Sequence, residues 1–218
     1  MYTVNFGDLT FIGQGAITTI LLSLGTMAIS LPLAVLVGLV RSVRKPNILV
    51  KGVQFVFGIV VSAVRGTPLM AQLIFLFFGL PMLGIEMPSL TAAMLGLSLY
   101  GIAYLAEIVR GGIESVAEDQ WDAATALGLN YLQTMWRVIL PQAVRIMLPP
   151  SVSFFIGLIK DSSLVAVIGF VELARAGRIV VERTGQSLLI FAVVAAVYFV
   201  ICYPLSLFSQ RLERALKV

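Results

Sequence analysis

The chain has 218 residues, 59% of them hydrophobic and only 12% charged, with a formal net charge of +4 and no histidine. Soluble domains carry roughly 25% charged residues, so half the usual charge is missing, and the mean hydropathy of +1.01 belongs to an integral membrane protein. That setting excludes a nucleic-acid reading of the basic excess, since membrane Lys and Arg mostly record orientation; the lack of histidine removes the commonest zinc ligand and general base.

Five apolar spans of about 20 residues are predicted, making an all-α membrane protein. The first covers about 14–40, ends at Arg41 and contains Pro32, a proline that neighbouring helices can accommodate. The stretch before it has no basic n-region, and Asp8 is the only charge ahead of Arg41, so the first span reads as a retained helix rather than a signal peptide. The second lies within 51–80 and is interrupted by Arg65-Gly66-Thr67-Pro68; the third covers about 90–110. The fourth, about 149–169, is interrupted by Lys160-Asp161-Ser162-Ser163, and the fifth is about 187–209. The single cysteine, Cys202, lies in that last apolar run, which leaves no intrachain disulfide and reads as a packed thiol.

Orientation follows from Lys and Arg in alternate loops. Segments 41–51, 110–147 and 210–218 hold ten, and segments 1–13, 80–90 and 170–186 hold three. The positive-inside rule puts the first set in the cytoplasm, the N-terminus outside and the C-terminus inside. No repeat, linker or low-complexity tract is visible, so residues 1–218 read as one domain with a core of about 14–210.

Charges inside apolar spans normally face a bundle interior or a water-filled cavity. Gly66 and Pro68 permit the second span to leave the helix beside Arg65, the kind of interruption transporters use near the midplane. Arg65 would offer a guanidinium fork to a carboxylate, with Thr67 beside it. A break at Lys160 and Asp161 would let both charges reach a cavity along with the Ser162 and Ser163 hydroxyls. A zwitterion would supply a carboxylate for Lys160 or Arg65 and an ammonium for Asp161 or Glu107. The alternative is a structural brace: Arg65 with a carbonyl, Glu107 or Asp161, or Lys160 with Glu107. Arg110 reads as an i,i+3 surface partner of Glu107.

The most informative segment is the polar-tinged loop from Glu118 to Pro141, within a cytoplasmic segment of about 114–141. Asp119 is expected to cap a helix from Gln120 to Leu127, with Asp122 favoured by the dipole in its first turn. Ala123 and Ala124 leave little bulk, and Gly128 suits a left-handed stop. Leu132, Met135, Trp136 and Ile139 form one stripe at helical spacing, and Pro141 is compatible with a bend before the fourth span.

Asp122-Ala123-Ala124, Gly128 and Val138-x-Leu140-Pro141 together resemble the EAA loop of membrane subunits of bacterial ABC importers, with Asp122 where the family usually has Glu. RGTP from Arg65, the pattern Tyr104-x-x-Glu107-Ile-x-Arg110-Gly111, and KDSSLVAVIG followed by Glu172-Leu173 are similar to the polar amino-acid branch, the glutamine, histidine and glutamate type. The resemblance covers almost the whole chain and implies the type I importer permease fold. It implies a coupling surface of Asp122, Ala123, Ala124, Leu127, Gly128 and Pro141 for cytoplasmic ATPase subunits, which would bind the ATP and Mg. It further implies a second permease subunit, identical or paralogous, an external or periplasmic binding protein docking near Arg175, Arg178 and Arg183, and multi-pass residence in the bacterial inner membrane. For those three arginines the plain alternative is a solvated hairpin with Glu172 and Glu182 as partners. The chain has no G-x4-GK[ST] loop, so no ATP hydrolysis is expected of it, and no cofactor, metal or catalytic residue. A self-contained secondary carrier or channel, using Asp161 and Glu107 as ion ligands, is the competing function. It predicts internal repeats, and none is visible. A membrane-embedded enzyme would need a nucleophile–base or metal cluster, and no span carries one.

Overall fold

The computed structural model describes residues 3–44 and 46–216; Lys45 and Lys217, two of the basic residues in the orientation count, lie outside the described residues. Helix α1 (Phe6–Arg41) opens on a capping box in which Asn5 and Asp8 each accept the other's backbone N–H, at 3.0 and 2.9 Å. Its 36 residues are about 54 Å long, enough to reach past both faces of a roughly 30 Å hydrocarbon layer.

Helix α2 (Ile48–Arg65) stops at Gly66, and α3 (Leu69–Ile74) starts after Pro68, continuing through a π turn (Phe75–Gly79) and a 3-10 turn (Leu80–Leu83). Helix α4 (Ser89–Glu114) leads to the short α5 (Glu118–Ala126). Then α6 (Tyr131–Thr134) passes through a π turn (Met135–Ile139) into α7 (Leu140–Asp161) and a 3-10 segment (Ser162–Ile168). Helices α8 (Leu173–Thr184) and α9 (Ser187–Ala215) complete the chain. Among the described residues all regular structure is helical, and five stretches are long and apolar enough to cross a bilayer.

The core is built on α1 against α4. Helices in lipid associate through small residues that let backbones approach, and this seam is made of Ala34, Ala106 and serines and glycines. A Cβ on Gly38 would lie 2.6 Å from the Val109 side chain, and one on Gly101 2.5 Å from Ser30 Oγ. Ser30 also donates across the seam to the Ser98 carbonyl at 3.2 Å. Leu69, Leu73, Leu97, Leu158 and Val165 tie α3, α4, α7 and the 3-10 segment together. Val109, Ile113, Trp121, Met135, Ile139 and Ala143 seat α5 on α4 and α7. By contrast α2 buries only Val61, and α9 only Ile190, Val194 and Ser209. Their outward apolar faces suit lipid, which is as apolar as leucine.

The interruption expected in the second span is present: Gly66 caps the end of α2 and Pro68 stands at the start of α3. Other expectations are corrected. The amphipathic helix after Gly128 and the fourth span are instead one helix, Tyr131–Ile168. Pro141 sits inside it because the preceding π turn, closed by Leu140 N–H to Met135 O, widens the backbone where the proline lacks a donor. The expected stripe divides: Met135 and Ile139 are buried, Leu132 and Trp136 exposed. At Lys160–Ser163 the helix tightens into 3-10 geometry rather than breaking. Residues 173–184, within the outer segment for which a solvated hairpin is the plain reading, are helix α8 packed on α1 and α9.

Glu172 does not pair with the neighbouring arginines. It is fully buried and caps α8, accepting from the Ala174 and Arg175 N–H groups, both at 2.8 Å, and from Tyr198 Oη of α9 at 3.0 Å. Burial pushes its carboxyl up from the ordinary value, and those donors draw it partly back. Arg178 pairs with Glu182 at 3.1 Å, Arg175 donates to the Ala166 carbonyl at 3.2 Å, and Arg183 pairs with the buried Asp8 of α1.

Candidate functional site

Two regions gather the residues singled out by sequence, one within the spans and one at the end of the molecule where α1 and α4 finish. The first is a cavity of about 380 Å³ lined by the Arg65–Leu69 segment, Tyr100, Tyr104, Asp161 and Leu164. It exists because α2 stops at its edge. The last turn of a helix leaves carbonyls without partners, and here side chains supply them. Thr67 Oγ1 donates to Ala63 O at 3.0 Å; Gln72 Nε2 donates to Val64 O at 2.8 Å and Thr67 O at 3.1 Å. The gap between α2 and α3 is thereby held open at little polar cost.

Across the cavity, Asp161 ends α7. Among the described residues no ion pair joins it to Arg65, or to any other cation. Lys160, one residue earlier, is exposed on a different face, since successive helical residues point about 100° apart. Ser162 is buried and spends its hydroxyl on Ile159 O at 2.7 Å, and Ser163 is half-buried. Of the sequence-derived candidates, Arg65, Thr67 and Asp161 therefore share one cavity. Lys160, Ser162, Ser163 and Glu107 are not among its lining residues.

Glu107 has other partners. Arg41 reaches its Oε2 at 2.7 Å, Arg110 takes its Oε1, and Arg65 approaches Oε2 at 3.6 Å. The Arg110–Glu107 pair is the local i,i+3 pair expected from sequence, and Arg110 bonds Glu114 as well. Sequence reasoning missed Tyr100, Phe154 and Gln72. Tyr100, Tyr104 and Glu107 fall at i, i+4 and i+7, one face of α4, and that spacing was the available signal. Tyr100 and Tyr104 have ring centroids 4.5 Å apart, Phe154 stacks on Tyr104 at 5.8 Å, and the Arg65 guanidinium lies 5.3 Å above the Tyr104 ring. The result is a wall of aromatic faces carrying one cation, opposite one unpaired carboxylate. It is chemistry suited to a small dipolar solute.

The second region is α5 and the turn after it. Its N-cap is Ala117, without a side-chain bond, rather than Asp119, which sits in the first turn with Glu118, where both acids meet the positive end of the helix. The helix is pinned from below. Trp121 is buried, stacks with Tyr131 at 6.1 Å and lies 4.2 Å under the Arg44 guanidinium, which also bonds Glu118 at 2.6 Å. The helix ends in a Schellman motif: Gly128 N–H to Thr125 O at 2.9 Å, Leu129 N–H to Ala124 O at 3.1 Å, and Gly128 at φ +76°. Asp122, Ala123, Leu127, Gly128 and Pro141 are exposed, Leu127 at 80%, whereas Ala124 is turned inward and 2% exposed. An exposed leucine beside an alanine and a glycine, on a helix braced from behind, is a surface another protein can approach closely. Among the described residues no cluster of acidic or cysteine side chains is arranged to hold a metal ion.

Comparison with known proteins gives consistent matches. The family model described as "Binding-protein-dependent transport system inner membrane component" matches residues 30–218. A probable amino-acid ABC transporter permease protein of Bacillus subtilis, YckA, is 43% identical over 154 residues, 71% of this chain and 68% of that one. The L-cystine transport system permease protein TcyB of the same organism is 37% identical over 203 residues, 93% of this chain and 85% of that one. Among solved structures, a crystal structure of an amino acid ABC transporter with histidines superposes with a TM-score of 0.88 at 31% identity, covering 98% of this chain and 100% of that one.

Proposed function

The chain belongs to the family of binding-protein-dependent transport system inner membrane components, and we propose that it passes a polar amino acid through the cavity between Arg65 and Asp161. It is a multi-pass inner membrane protein and the permease subunit of an ATP-driven amino-acid importer. It is not itself an enzyme; ATP and Mg belong to separate cytoplasmic ATPase subunits. A second permease subunit completes the translocation path, and a binding protein delivers the amino acid from outside.

The observation that carries the reading is the exposed surface of Asp122, Ala123, Leu127, Gly128 and Pro141 on a helix locked to the body by Trp121 and Arg44. A docking helix must be free on one face and stiff on the other, so that force from an ATPase reaches the spans. Within the cavity, Arg65 takes the α-carboxylate and Asp161 the α-ammonium, with Thr67 beside the former. Ser163 and Lys160 line the route only if the 3-10 segment turns during transport. Positive-inside charge puts α5 in the cytoplasm and α8, with Arg175 and Arg178, outside, where they face the binding protein.

The test is reconstitution. The chain, expressed with its neighbouring genes, is expected to co-purify with an ATPase and to accumulate an amino acid in liposomes only with ATP. Uptake by the chain alone on an ion gradient would overturn the proposal. Asp161→Asn is expected to lower uptake at unchanged expression and to alter which amino acids compete; an unchanged competition profile removes Asp161 from the pathway.

A further inference from the structure

Glu107 lies behind the cavity wall, and its bonding pattern assigns it a task distinct from touching the transported molecule. Its carboxylate collects arginines from three helices: Arg41 at the end of α1, Arg65 at the end of α2, and Arg110 on its own helix α4. The three contacts are unequal. The Arg41 side chain is 13% exposed and bonds at 2.7 Å; Arg65 is 40% exposed and stands at 3.6 Å, outside hydrogen-bond range. A carboxylate offers about four lone-pair sites on two oxygens, and Arg110 and Arg41 together engage both oxygens of this one. Three of those sites are filled, and the fourth, on Oε2, is the one Arg65 stands nearest, so a substrate ammonium would have to compete with Arg65 for it.

Arg65, in contrast, is steered rather than consumed. One guanidinium edge points to Glu107 and its carbon lies over the Tyr104 ring; among the described residues it makes no hydrogen bond. Its remaining N–H groups are free for a ligand in the cavity. We propose that Glu107 is a positioning residue that acts on transport through Arg65, with Arg41 and Arg110 fixing the carboxylate so that Arg65 keeps its fork toward the cavity. Three residues past the end of α1, Arg44 is bonded to Glu118 and stacked on Trp121 of α5. Glu107 therefore joins the cavity arginine to the segment that holds the candidate docking helix. This inference rests on Arg65 being a contact for the transported amino acid.

The experiment is a double-mutant cycle in the full reconstituted complex with its binding protein. Rates are taken at saturating liganded binding protein for wild type, Arg65→Gln, Glu107→Gln and the double variant, with thermal unfolding of each complex alongside. Arg65→Gln is expected to cut the maximal rate about tenfold, the scale of a lost charge-assisted hydrogen bond. Glu107→Gln should cut it severalfold while the concentration of binding protein giving half-maximal rate stays put, and Glu107→Asp, which keeps the charge, should recover much of the loss. The double variant should be no slower than Arg65→Gln alone. Multiplying losses would overturn the inference and make Glu107 an independent contributor. A loss in Glu107→Gln that follows thermal stability, and that Glu107→Asp does not recover, would overturn it in favour of a purely structural brace. A wild-type rate in Arg65→Gln would instead refute the underlying assignment of Arg65 as a substrate contact.

Discussion

At Gly128 the backbone stands at φ +76° and a Cβ would meet no atom within 4 Å. Any substitution there is therefore a conformational event and not a steric one. Gly128→Val costs about 1–2 kcal/mol of local backbone energy and unwinds the Schellman turn, so Leu127 is no longer presented. The expected outcome is loss of ATPase co-purification with thermal stability nearly intact; normal transport by this variant would show that the turn is not a docking surface. The two neighbouring alanines divide the same question. Ala124 is packed beneath the helix, so Ala124→Leu overfills the contact and costs about 1–3 kcal/mol, lowering the unfolding temperature. Ala123 faces out, so Ala123→Leu should leave stability within about 0.5 kcal/mol and still impair coupling. Sequence pattern identified both alanines but not their difference, because which face of α5 is covered depends on where the rest of the fold packs against it, as Tyr131 and Arg44 do at Trp121. Asp161 is the reverse case. Its charge in an apolar run pointed to a cavity from sequence alone, while its neighbour Lys160, equally conspicuous, faces elsewhere.

At the scale of elements, helix ends are finished by amides that the sequence reading passed over. Gln54 donates to Val40 O in the last turn of α1 at 3.0 Å and to Val43 O just past it at 3.1 Å, as Gln72 does to Val64 O and Thr67 O at the end of α2. Each is a lone amide in an apolar run, where an unpaired polar group is costly and a carbonyl partner is therefore required. Gln72→Leu strips partners from the Val64 and Thr67 carbonyls. It is expected to cost about 1–3 kcal/mol, measured as a lowered unfolding temperature in detergent, and to reduce uptake by letting the cavity edge relax. Unchanged stability and uptake would mean that water replaces the amide freely. The two π turns share a second device. Phe75–Gly79 stands before Pro81 and Met135–Ile139 before Pro141, each separated from its proline by one leucine. Pro141 is visible in the sequence and reads as compatible with a bend before the fourth span; the widened turn that absorbs it depends on neighbouring helices holding the chain straight. Span number and most span cores were legible because about 20 apolar residues are a direct requirement of bilayer thickness. The continuity of Tyr131–Ile168 and the helicity of α8 were not, since both follow from packing against α1, α4 and α9.

For the whole molecule, the charge at the two ends predicts which of them faces the cytoplasm. The structure groups the ends without ambiguity: Arg41, Arg44, Arg110 and α5 lie together, and Asp8 with Arg183 marks the other end. The basic residues at the α5 end greatly outnumber those at the α8 end, and two of the three arginines on α8 are matched by acids, Arg183 by Asp8 and Arg178 by Glu182. Positive-inside bias counts Lys and Arg near span ends, so the proposed function predicts the α5 end inside. Cys202 is the only native thiol, which makes labelling direct once it is changed to serine. In that background, Ala123→Cys and Glu182→Cys place single thiols on opposite ends at exposed positions. An impermeant maleimide should label position 182 in cells whose outer barrier has been opened, and position 123 only after the inner membrane is permeabilised. The opposite pattern would put α5 outside, out of reach of any cytoplasmic ATPase, and would refute the coupling role of Asp122, Leu127 and Gly128 whatever their geometry.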